Sequence, residues 1–262
     1  MAVTKIHPTA VIDTGARMGN DVTVGPYCLI GNEVEIGDRC VLHSHVTLEG
    51  PAVIGPENEF YPHCAIGGRS QDLKYAGEPT FLKIGSGNAF REFVTVNRGT
   101  SPGETTTIGN GGHFLAYCHI AHNCVVGDGV IFSNNGTLAG HVSVADGAIL
   151  GGLSAIHQFC RVGRHAMTGG CSKIVQDVPP FMIVDGNPAQ VRGVNTVGLR
   201  RHDFPEEQIR ALKEAYKAIY KRRLTVAEAV SGLKKHHAAE GPDYPVNELI
   251  AFVEASRRGI LR

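Results

Sequence analysis

Histidines that could do proton-transfer or metal chemistry are grouped between residues 119 and 165, in the middle of this chain. The chain has 13 histidines in 262 residues. A neutral imidazole can accept a proton from a substrate hydroxyl near neutral pH, or it can ligate a metal ion. No Cys or acidic side chain completes a tetrahedral zinc set with them. A histidine taken singly is more often an exposed turn residue. The grouped residues are His119, His122, His141, His157 and His165.

A repeat of six residues predicts how these histidines are arranged in space. From residue 6 to residue 174, 25 of the 29 positions divisible by six are aliphatic or aromatic. A small residue often stands four positions later, and Gly often follows the apolar residue directly, where we expect a corner that favours a residue without Cβ. This period fits neither an amphipathic helix nor an ordinary meander, and it predicts short strands joined by tight turns. The exceptions are Asp72, Glu78, Pro102 and Thr168.

Three such hexads close one coil of a parallel β-helix, so that residues 18 apart lie directly above one another. By this rule His122, Gly140 and Gln158 stack at one corner of a triangular prism. His141 and His157 each stand one residue away from that column. Alignment over successive coils favours a site over unrelated turn residues. The periodicity does not give the hand of the helix, although general crossover rules favour right-handed connections.

Two polar segments interrupt the repeat without changing its phase, at about residues 68–83 and 98–107. Both are rich in turn residues, and we expect both to leave the prism as loops. Loops on a rigid scaffold are where binding residues tend to collect. The segments are therefore candidates for substrate contacts.

The pattern changes after the β-helix, which we assign to residues 1–186. Residues 187–262 form a second, α-helical domain in this prediction. Its three helices cover 206–223, begin at the capping box Thr225–Glu228, and cover 245–258. This domain carries 14 Lys and Arg against 9 Asp and Glu, which suits an acidic partner. It also covers an end of the solenoid and its strand edges.

Composition limits the class of protein. The chain has no cationic, apolar leader and no apolar run of membrane-span length, so we expect a cytoplasmic protein without a membrane span. Its formal net charge is zero, and we expect no nucleic-acid partner. Six of the seven cysteines occupy the small position of the hexad, and we interpret them as reduced packing residues, with Cys171 outside that position.

Six segments of this sequence resemble the UDP-N-acetylglucosamine O-acyltransferases, a family of hexapeptide-repeat acyltransferases. The resemblance continues through Gln176–Pro180 and the helical tail, so it covers essentially the whole chain. It implies a left-handed β-helix and a parallel homotrimer with active sites between subunits. The segments are QDLKYAGEP at 71–79, VTVNRG at 94–99, AHNC at 121–124, LAGHVSV at 138–144, IHQFC at 156–160 and GGCS at 169–172.

The resemblance also implies the reaction. A 3-hydroxyacyl chain passes from acyl carrier protein to the 3-position of UDP-N-acetylglucosamine, the first step of lipid A biosynthesis, without a cofactor. His122 is implied as the general base and the backbone N–H of Gly140 as the oxyanion donor. Sugar contacts are implied for Asp72, Lys74 and His141. Nucleotide or diphosphate contacts are implied for His157, Gln158, Asn195 and Arg201, and a limit on acyl-chain depth for Gly170.

Three residues depart from the family pattern. Asn123 follows the base where Asp is common, and an amide can orient the imidazole without giving it a charge. Asn97 and Pro188 each stand where a histidine is common. The asparagine after the base also resembles the N-acyltransferase of the same pathway, which has an extra N-terminal domain.

Alternatives to O-acyl transfer differ in substrate or in class. One is N-acyl transfer to a 3-amino UDP-sugar or a related UDP-glucosamine. Another is a zinc enzyme of the γ-carbonic anhydrase type, which shares the left-handed solenoid and binds metal through histidines of adjoining subunits. A third is a structural solenoid without activity, which would give no reason for the aligned column or for the two insertions.

Overall fold

Two- to six-residue strands and tight turns build the first two thirds of the molecule. The computed structural model describes residues 4–262. Strands pair in parallel with strands 18 residues away, as Lys5 does with Thr23. The result is a left-handed parallel β-helix with three sheets, which confirms the predicted fold class.

Each sheet takes one strand from nearly every coil. The first sheet contains Lys5–Ile6, Thr23–Val24, Val41–Leu42, Glu59–Phe60, Ala89–Phe90, His113–Phe114, Ile131–Phe132, Ile149–Leu150, Met167–Thr168, Met182–Gly186 and Ala189–Val194. The second contains Val11–Ile12, Leu29–Ile30, Thr47–Leu48, Ala65–Gly68, Thr95–Asn97, His119–Ile120, Thr137–Leu138, Ala155–Ile156 and Lys173–Ile174. The third contains Arg17–Met18, Val34–Ile36, Ala52–Ile54, Phe81–Ile84, Thr105–Ile108, Val125–Val126, Ser143–Val144 and Arg161–Val162.

The repeating apolar residue points into the prism. Phe60, Phe90, Phe114 and Phe132 are fully buried and form a continuous column. Their ring centroids are 5.1, 4.8 and 5.1 Å apart in turn. The six cysteines of the small position are buried as well, and Cys171 is exposed, which confirms their interpretation as packing residues.

The corners turn at a residue in the left-handed region, three positions after the apolar one. Asn123 has φ 61° and His141 has φ 62°. We expected the glycine directly after the apolar residue to be selected by the backbone conformation of a corner, but the structure gives a different reason. A Cβ on Gly37 would lie 2.5 Å from the backbone N of Pro56 in the next coil. Close stacking of coils, not backbone conformation, therefore selects glycine there.

The two insertions preserve the register of the sheets. Phe60 pairs with Phe90 and Phe90 pairs with Phe114, so the first insertion adds 12 residues to the 18-residue coil and the second adds 6. Both are whole multiples of the hexad, as the unchanged phase predicts. The phenylalanine column continues without a gap through the coils that carry the two loops, so both loops extend from a continuous core.

The C-terminal segment begins with a hairpin that extends the first sheet. Met182–Gly186 pairs antiparallel with Ala189–Val194, so the first residues of the segment predicted as helical are a strand. Four helices follow: α1 (Thr196–Arg201), α2 (Glu206–Tyr220), α3 (Val226–His236) and α4 (Pro245–Glu254). The capping box of Thr225 and Glu228 is present at the start of α3. The helix α1 has no counterpart in the sequence prediction.

Two arginines of the last coils fasten this segment to the β-helix. Arg164 pairs with Glu248 of α4 at 2.6 Å. Arg161 donates to the carbonyl of Phe252 at 2.9 Å and stacks on its ring. Among residues 4–262, no helix combines the length and the apolar character needed to cross a bilayer.

Candidate active site

His122 lies at the corner between the second and third sheets, directly after the strand His119–Ile120. Its imidazole rests against the next coil at Gly140. A Cβ on Gly140 would be 2.4 Å from both Cε1 and Nε2 of His122. Glycine is therefore required there, because any larger residue would displace the ring. The predicted column of His122 and Gly140 is a direct contact.

Asn123 holds one edge of the imidazole through a hydrogen bond at Nδ1. Its Oδ1 is 2.9 Å from Nδ1 of His122, and its Nδ2 donates to Oε2 of Glu104 at 2.8 Å. The backbone N–H of Asn123 donates to Oγ1 of Thr106 at 2.8 Å. Asparagine tolerates the left-handed conformation that this corner needs. The bond to Asn123 leaves Nε2 as the nitrogen available to a substrate.

Two further histidines surround the base. The ring of His141 meets that of His122 edge-on at 5.1 Å and stacks on Phe159 at 4.7 Å. His119 shares a 2.7 Å hydrogen bond with the hydroxyl of Thr95. Burial lowers the pKa of both His141 and His119, and the nearby His122 lowers each further. Both rings are thereby favoured in the neutral form.

The first insertion reaches this corner, as expected of a binding loop. Oδ2 of Asp72 is 3.9 Å from Nε2 of His122. Oδ1 of Asp72 accepts a hydrogen bond from the backbone N–H of Lys74 at 2.9 Å, which shapes the loop. The charge of Lys74 acts on His141 and contributes to lowering its pKa. Asp72 and His141 therefore lie beside the base, and Lys74 is close enough for its charge to act on His141.

The residues assigned to the nucleotide are more dispersed. His157 and Gln158 are exposed, and Nδ1 of His157 is 3.1 Å from the carbonyl of Gln158. Arg201 is exposed in the last turn of α1. Asn195 is only 4% exposed. Its Oδ1 accepts from Gly198 N at 3.1 Å and its Nδ2 donates to His165 O at 3.0 Å, so it caps α1 within its own chain.

Gly170 lies at a different corner from His122, between the first and second sheets. A Cβ there would meet one atom within 4 Å, the carbonyl oxygen of Gly152 at 3.4 Å. The position therefore has room for a larger side chain. Within one chain, the base and the residue assigned to the acyl chain do not share a corner.

The five histidines do not form one cluster. His165 lies at the third corner, between the third and first sheets, and packs against His202 at 4.4 Å. Burial first, and then the charge of His202, lower the pKa of His165 to about 4. Residues 24 and 43 apart in sequence cannot share an 18-residue column, so spacing alone separates His165 from both His141 and His122.

Two of the departures from the family pattern lie in the scaffold around the site. Asn97 is buried beside the first insertion, where its Nδ2 donates to the carbonyl of Arg69 at 2.8 Å. Pro188 stands in the tight turn of the C-terminal hairpin, between Gly186 and Ala189. Neither contacts His122 in the described hydrogen bonds and ion pairs.

Glu104 is the residue of this site that sequence reasoning missed. It belongs to the second insertion, whose path is not periodic, so no spacing rule could place its side chain. The only available signal was an acidic residue in a loop that leaves the prism near the corner of His122. Its contact with Asn123 follows from the three-dimensional path alone.

Three clefts of the single chain lie away from the base. Clefts of about 640 and 740 Å³ lie among the C-terminal helices, and one of about 420 Å³ lies beside the first insertion, with Arg69 and Arg98 in its lining. His122 lines none of them. Its side chain is 12% exposed on an outer corner of the prism, where a second chain could provide the missing wall.

Comparisons with known proteins agree with this architecture. Residues 177–261 match the family model described as UDP N-acetylglucosamine O-acyltransferase, domain 2, and residues 15–50 match the bacterial transferase hexapeptide model. An acyl-[acyl-carrier-protein]–UDP-N-acetylglucosamine O-acyltransferase of Verminephrobacter eiseniae is 48% identical, over 99% of this chain and 100% of that protein. One of Stenotrophomonas maltophilia is 49% identical over 98% of each chain.

Solved structures give the same result. LpxA from Acinetobacter baumannii is 43% identical with a TM-score of 0.92, over 98% of this chain and 99% of that chain. The UDP-N-acetylglucosamine acyltransferase of Francisella novicida is 36% identical with a TM-score of 0.93, over 98% of this chain and 94% of that chain. These matches assign the chain to an acyltransferase family, in place of the carbonic anhydrase and non-enzymatic alternatives. The chain belongs to the family of acyl-[acyl-carrier-protein]–UDP-N-acetylglucosamine O-acyltransferases.

Proposed function

We propose that this enzyme transfers an (R)-3-hydroxyacyl chain from acyl carrier protein to the 3-hydroxyl of UDP-N-acetylglucosamine, the first step of lipid A biosynthesis, in the cytoplasm. The observation that carries the proposal is the contact of His122 with Gly140 at a corner that two loops approach. A proton acceptor and an available backbone donor on adjacent coils are the two groups that attack on a thioester needs.

His122 is the general base in this proposal. Its Nδ1 is engaged by Asn123, so Nε2 removes the proton of the 3-hydroxyl as the oxygen attacks the thioester carbonyl. The carbon–oxygen bond forms, the thiolate of the carrier protein leaves, and the proton on Nε2 can return to that sulfur. No covalent enzyme intermediate is needed, so the buried cysteines need not react.

The backbone N–H of Gly140 is the oxyanion donor. Within residues 4–262, this N–H is not engaged in a hydrogen bond with a backbone carbonyl or a side chain, whereas the carbonyl of Gly140 accepts from Phe159 N at 3.2 Å. A free donor in place before the reaction stabilises the developing charge without reorganisation. The absence of a side chain also lets the thioester approach the backbone closely.

The first insertion and the corner histidines bind the acceptor. Asp72 and Lys74, with His141, are the proposed sugar contacts, and their grouping near Nε2 of His122 supports that assignment. We assign the nucleotide or diphosphate to His157, Gln158, Asn195 and Arg201. For Asn195 the contact can use its second carbonyl lone pair or its second amide hydrogen, because Gly198 N and His165 O already engage one of each.

A parallel homotrimer completes the site in this proposal. Gly170 limits the depth of the acyl chain, but it lies at a different corner from His122 of the same chain. Parallel neighbours can set the corner of one chain that carries His122 against the corner of another that carries Gly170. The base and the end of the acyl groove then belong to one pocket, with three pockets in each trimer.

The basic C-terminal helices are the proposed docking face for the acidic carrier protein. Arg200, Lys217 and Arg222 already form ion pairs with Glu206 or Glu214. Lys221 and Arg223 form no ion pair with described residues, so they are the better candidates for the attraction, whereas Arg201 is assigned to the nucleotide. Salt screens such contacts, and the affinity for carrier protein should fall as ionic strength rises.

One assay tests the reaction and its acceptor. The purified protein is incubated with UDP-N-acetylglucosamine or its 3-amino analogue, each with a series of 3-hydroxyacyl carrier proteins of different chain length, and products are identified by mass. We expect an ester product with UDP-N-acetylglucosamine and none in the His122→Ala control. Product only from the 3-amino analogue would assign the enzyme to N-acyl transfer, and product from neither would overturn the proposal.

A further inference from the structure

We infer that Glu104 is a positioning residue whose carboxylate acts on His122 through the amide of Asn123 and supplies, from the second insertion, the negative charge that an acidic residue beside the base would give directly. The inference rests on the proposed role of His122 as general base. It assigns a catalytic purpose to a loop that otherwise only interrupts the repeat.

The orientation of the Asn123 amide follows from its two other neighbours. Oδ1 accepts from the backbone N–H of Thr100 at 3.2 Å, and that group can only donate. Nδ2 donates to Oε2 of Glu104 at 2.8 Å, and an ionised carboxylate can only accept. A reversed amide would set donor against donor and acceptor against acceptor. Oδ1 of Asn123 must therefore face His122.

This orientation fixes the tautomer of the base. An amide oxygen accepts only, so Nδ1 of His122 must carry the hydrogen in the 2.9 Å bond to Asn123. The lone pair of the neutral imidazole is then on Nε2, the nitrogen proposed to face the substrate. Protonation of Nε2 keeps the bond at Nδ1 and adds a positive charge that the chain of hydrogen bonds can stabilise.

Glu104 is held in its ionised form. Oε2 accepts from the backbone N–H of Ser101 at 2.8 Å as well as from Asn123. The bond from Ser101 first, and the bond from Asn123 second, lower the pKa of Glu104. Thr100, Ser101 and Glu104 all belong to the second insertion, so one loop fixes both the amide and the charge behind it.

Other charged or titratable groups face His122 from different directions. Asp72 is on the side of Nε2, at 3.9 Å, where a bound substrate would change its surroundings. Glu104 acts from the side of Nδ1 and is separated from the reacting atoms by Asn123. The full set that faces His122 or its ring neighbours comprises Asp72, Lys74, Glu104, His119 and His141.

The test removes the charge but keeps the hydrogen bonds. In Glu104→Gln the amide oxygen can still accept from Ser101 and Asn123. We expect the acidic limb of the pH profile of kcat/KM to move to lower pH by about 0.5 to 1 unit, because the imidazole loses a stabilising anion. The plateau of kcat should fall about 3- to 10-fold, since a weaker base removes the proton less well. A purely structural Glu104 predicts an unmoved limb.

A double variant tests the same idea in the other direction. Asn123→Asp combined with Glu104→Gln moves the carboxylate next to His122 and lets the glutamine amide donate to it. We expect the acidic limb to return to the wild-type position or to exceed it. Asp128→Asn is the matched control, because it removes one carboxylate isosterically at another corner of the prism, and we expect no shift.

An independent measurement separates this inference from the proposed reaction. The titration and tautomer of His122 can be followed by NMR of imidazole nitrogens in the resting protein, without any substrate. A shift to lower pH in Glu104→Gln, with Nδ1 protonated in the neutral form, supports the coupling even if the protein acylates no sugar. An unmoved titration in this variant would overturn the coupling even in an active enzyme.

Discussion

Two corners of the same prism use the same turn for opposite purposes. At the corner between the third and first sheets, backbone N–H groups of several coils are capped by a side chain of the next coil. Asn110 N donates to Asp128 at 2.7 Å and Asp128 N donates to Asp146 at 2.8 Å. At the corner of His122, the equivalent column continues with Gly140 and Gln158, and no such cap is present within residues 4–262.

A small change in sequence separates a structural corner from a reactive one in this solenoid. Both corners have the same spacing and lie on the same coils. One residue in each coil decides whether a backbone donor is used for stability or left open for a ligand. Aspartate one coil above closes the corner, whereas Gln158, one coil above Gly140, makes no such bond to the Gly140 N–H, and the missing side chain of Gly140 makes room for an imidazole.

The largest effect should come from removing the base at the open corner. His122→Ala should lower kcat/KM by about 10²- to 10⁴-fold, the usual contribution of a general base. Circular dichroism and thermal unfolding should remain close to wild type, because the ring lies outside the apolar interior. Activity within a few-fold of wild type would disprove the assignment.

The second-largest effect should come from adding a single methyl group at Gly140 in the open corner. A Cβ on Gly140 would overlap the imidazole of His122, and it would also obstruct the backbone donor. We expect Gly140→Ala to lower kcat by about 10²- to 10³-fold, as for loss of an oxyanion donor. Gly232→Ala in α3 is the control, because a Cβ there would meet no atom within 4 Å. Equal activities of the two variants would contradict the role of Gly140.

A substitution at the remaining corner, which carries Gly170, should change acyl-chain selectivity rather than the overall rate. Gly170→Met should shorten the preferred acyl chain, because each methylene that loses its buried position costs about 0.8 kcal/mol, or roughly fourfold in kcat/KM. Competition between carrier proteins with different acyl lengths measures the ranking. An unchanged ranking would show that Gly170 does not line the groove.

The smallest effect belongs to the capped corner. Asp146→Ala removes the acceptor of Asp128 N and should lower the free energy of unfolding by about 0.5 to 1 kcal/mol, because water can replace the bond at this exposed position. Turnover should stay at the wild-type value. A large loss of activity here, measured beside urea-induced unfolding, would show that the two corners are not independent.

The sequence was sufficient for the scaffold because the scaffold is periodic. Stacking large side chains on large ones leaves one possible register, so the column of His122 and Gly140 follows from counting. The insertions have no such constraint. The link from Asn123 to Glu104 depends on the path of a loop, and the burial of Asn195 depends on how α1 docks, so neither could be predicted from spacing. The separate corner of His165, in contrast, was available from the same count.

The stacking of coils also bears on how acyl selectivity can change. Gly170 is three coils beyond Ala116, which shares the coil of His122, and three strand spacings of about 4.8 Å give an axial separation of roughly 14 Å. Moving the limiting residue to the neighbouring coil would alter the groove by a whole spacing, which is several methylene groups. Changing only its side chain would alter the groove by a fraction of that. The coil that carries the limiting residue should therefore set the preferred chain length in large steps, and the size of its side chain should set it in small steps. The two can be varied separately.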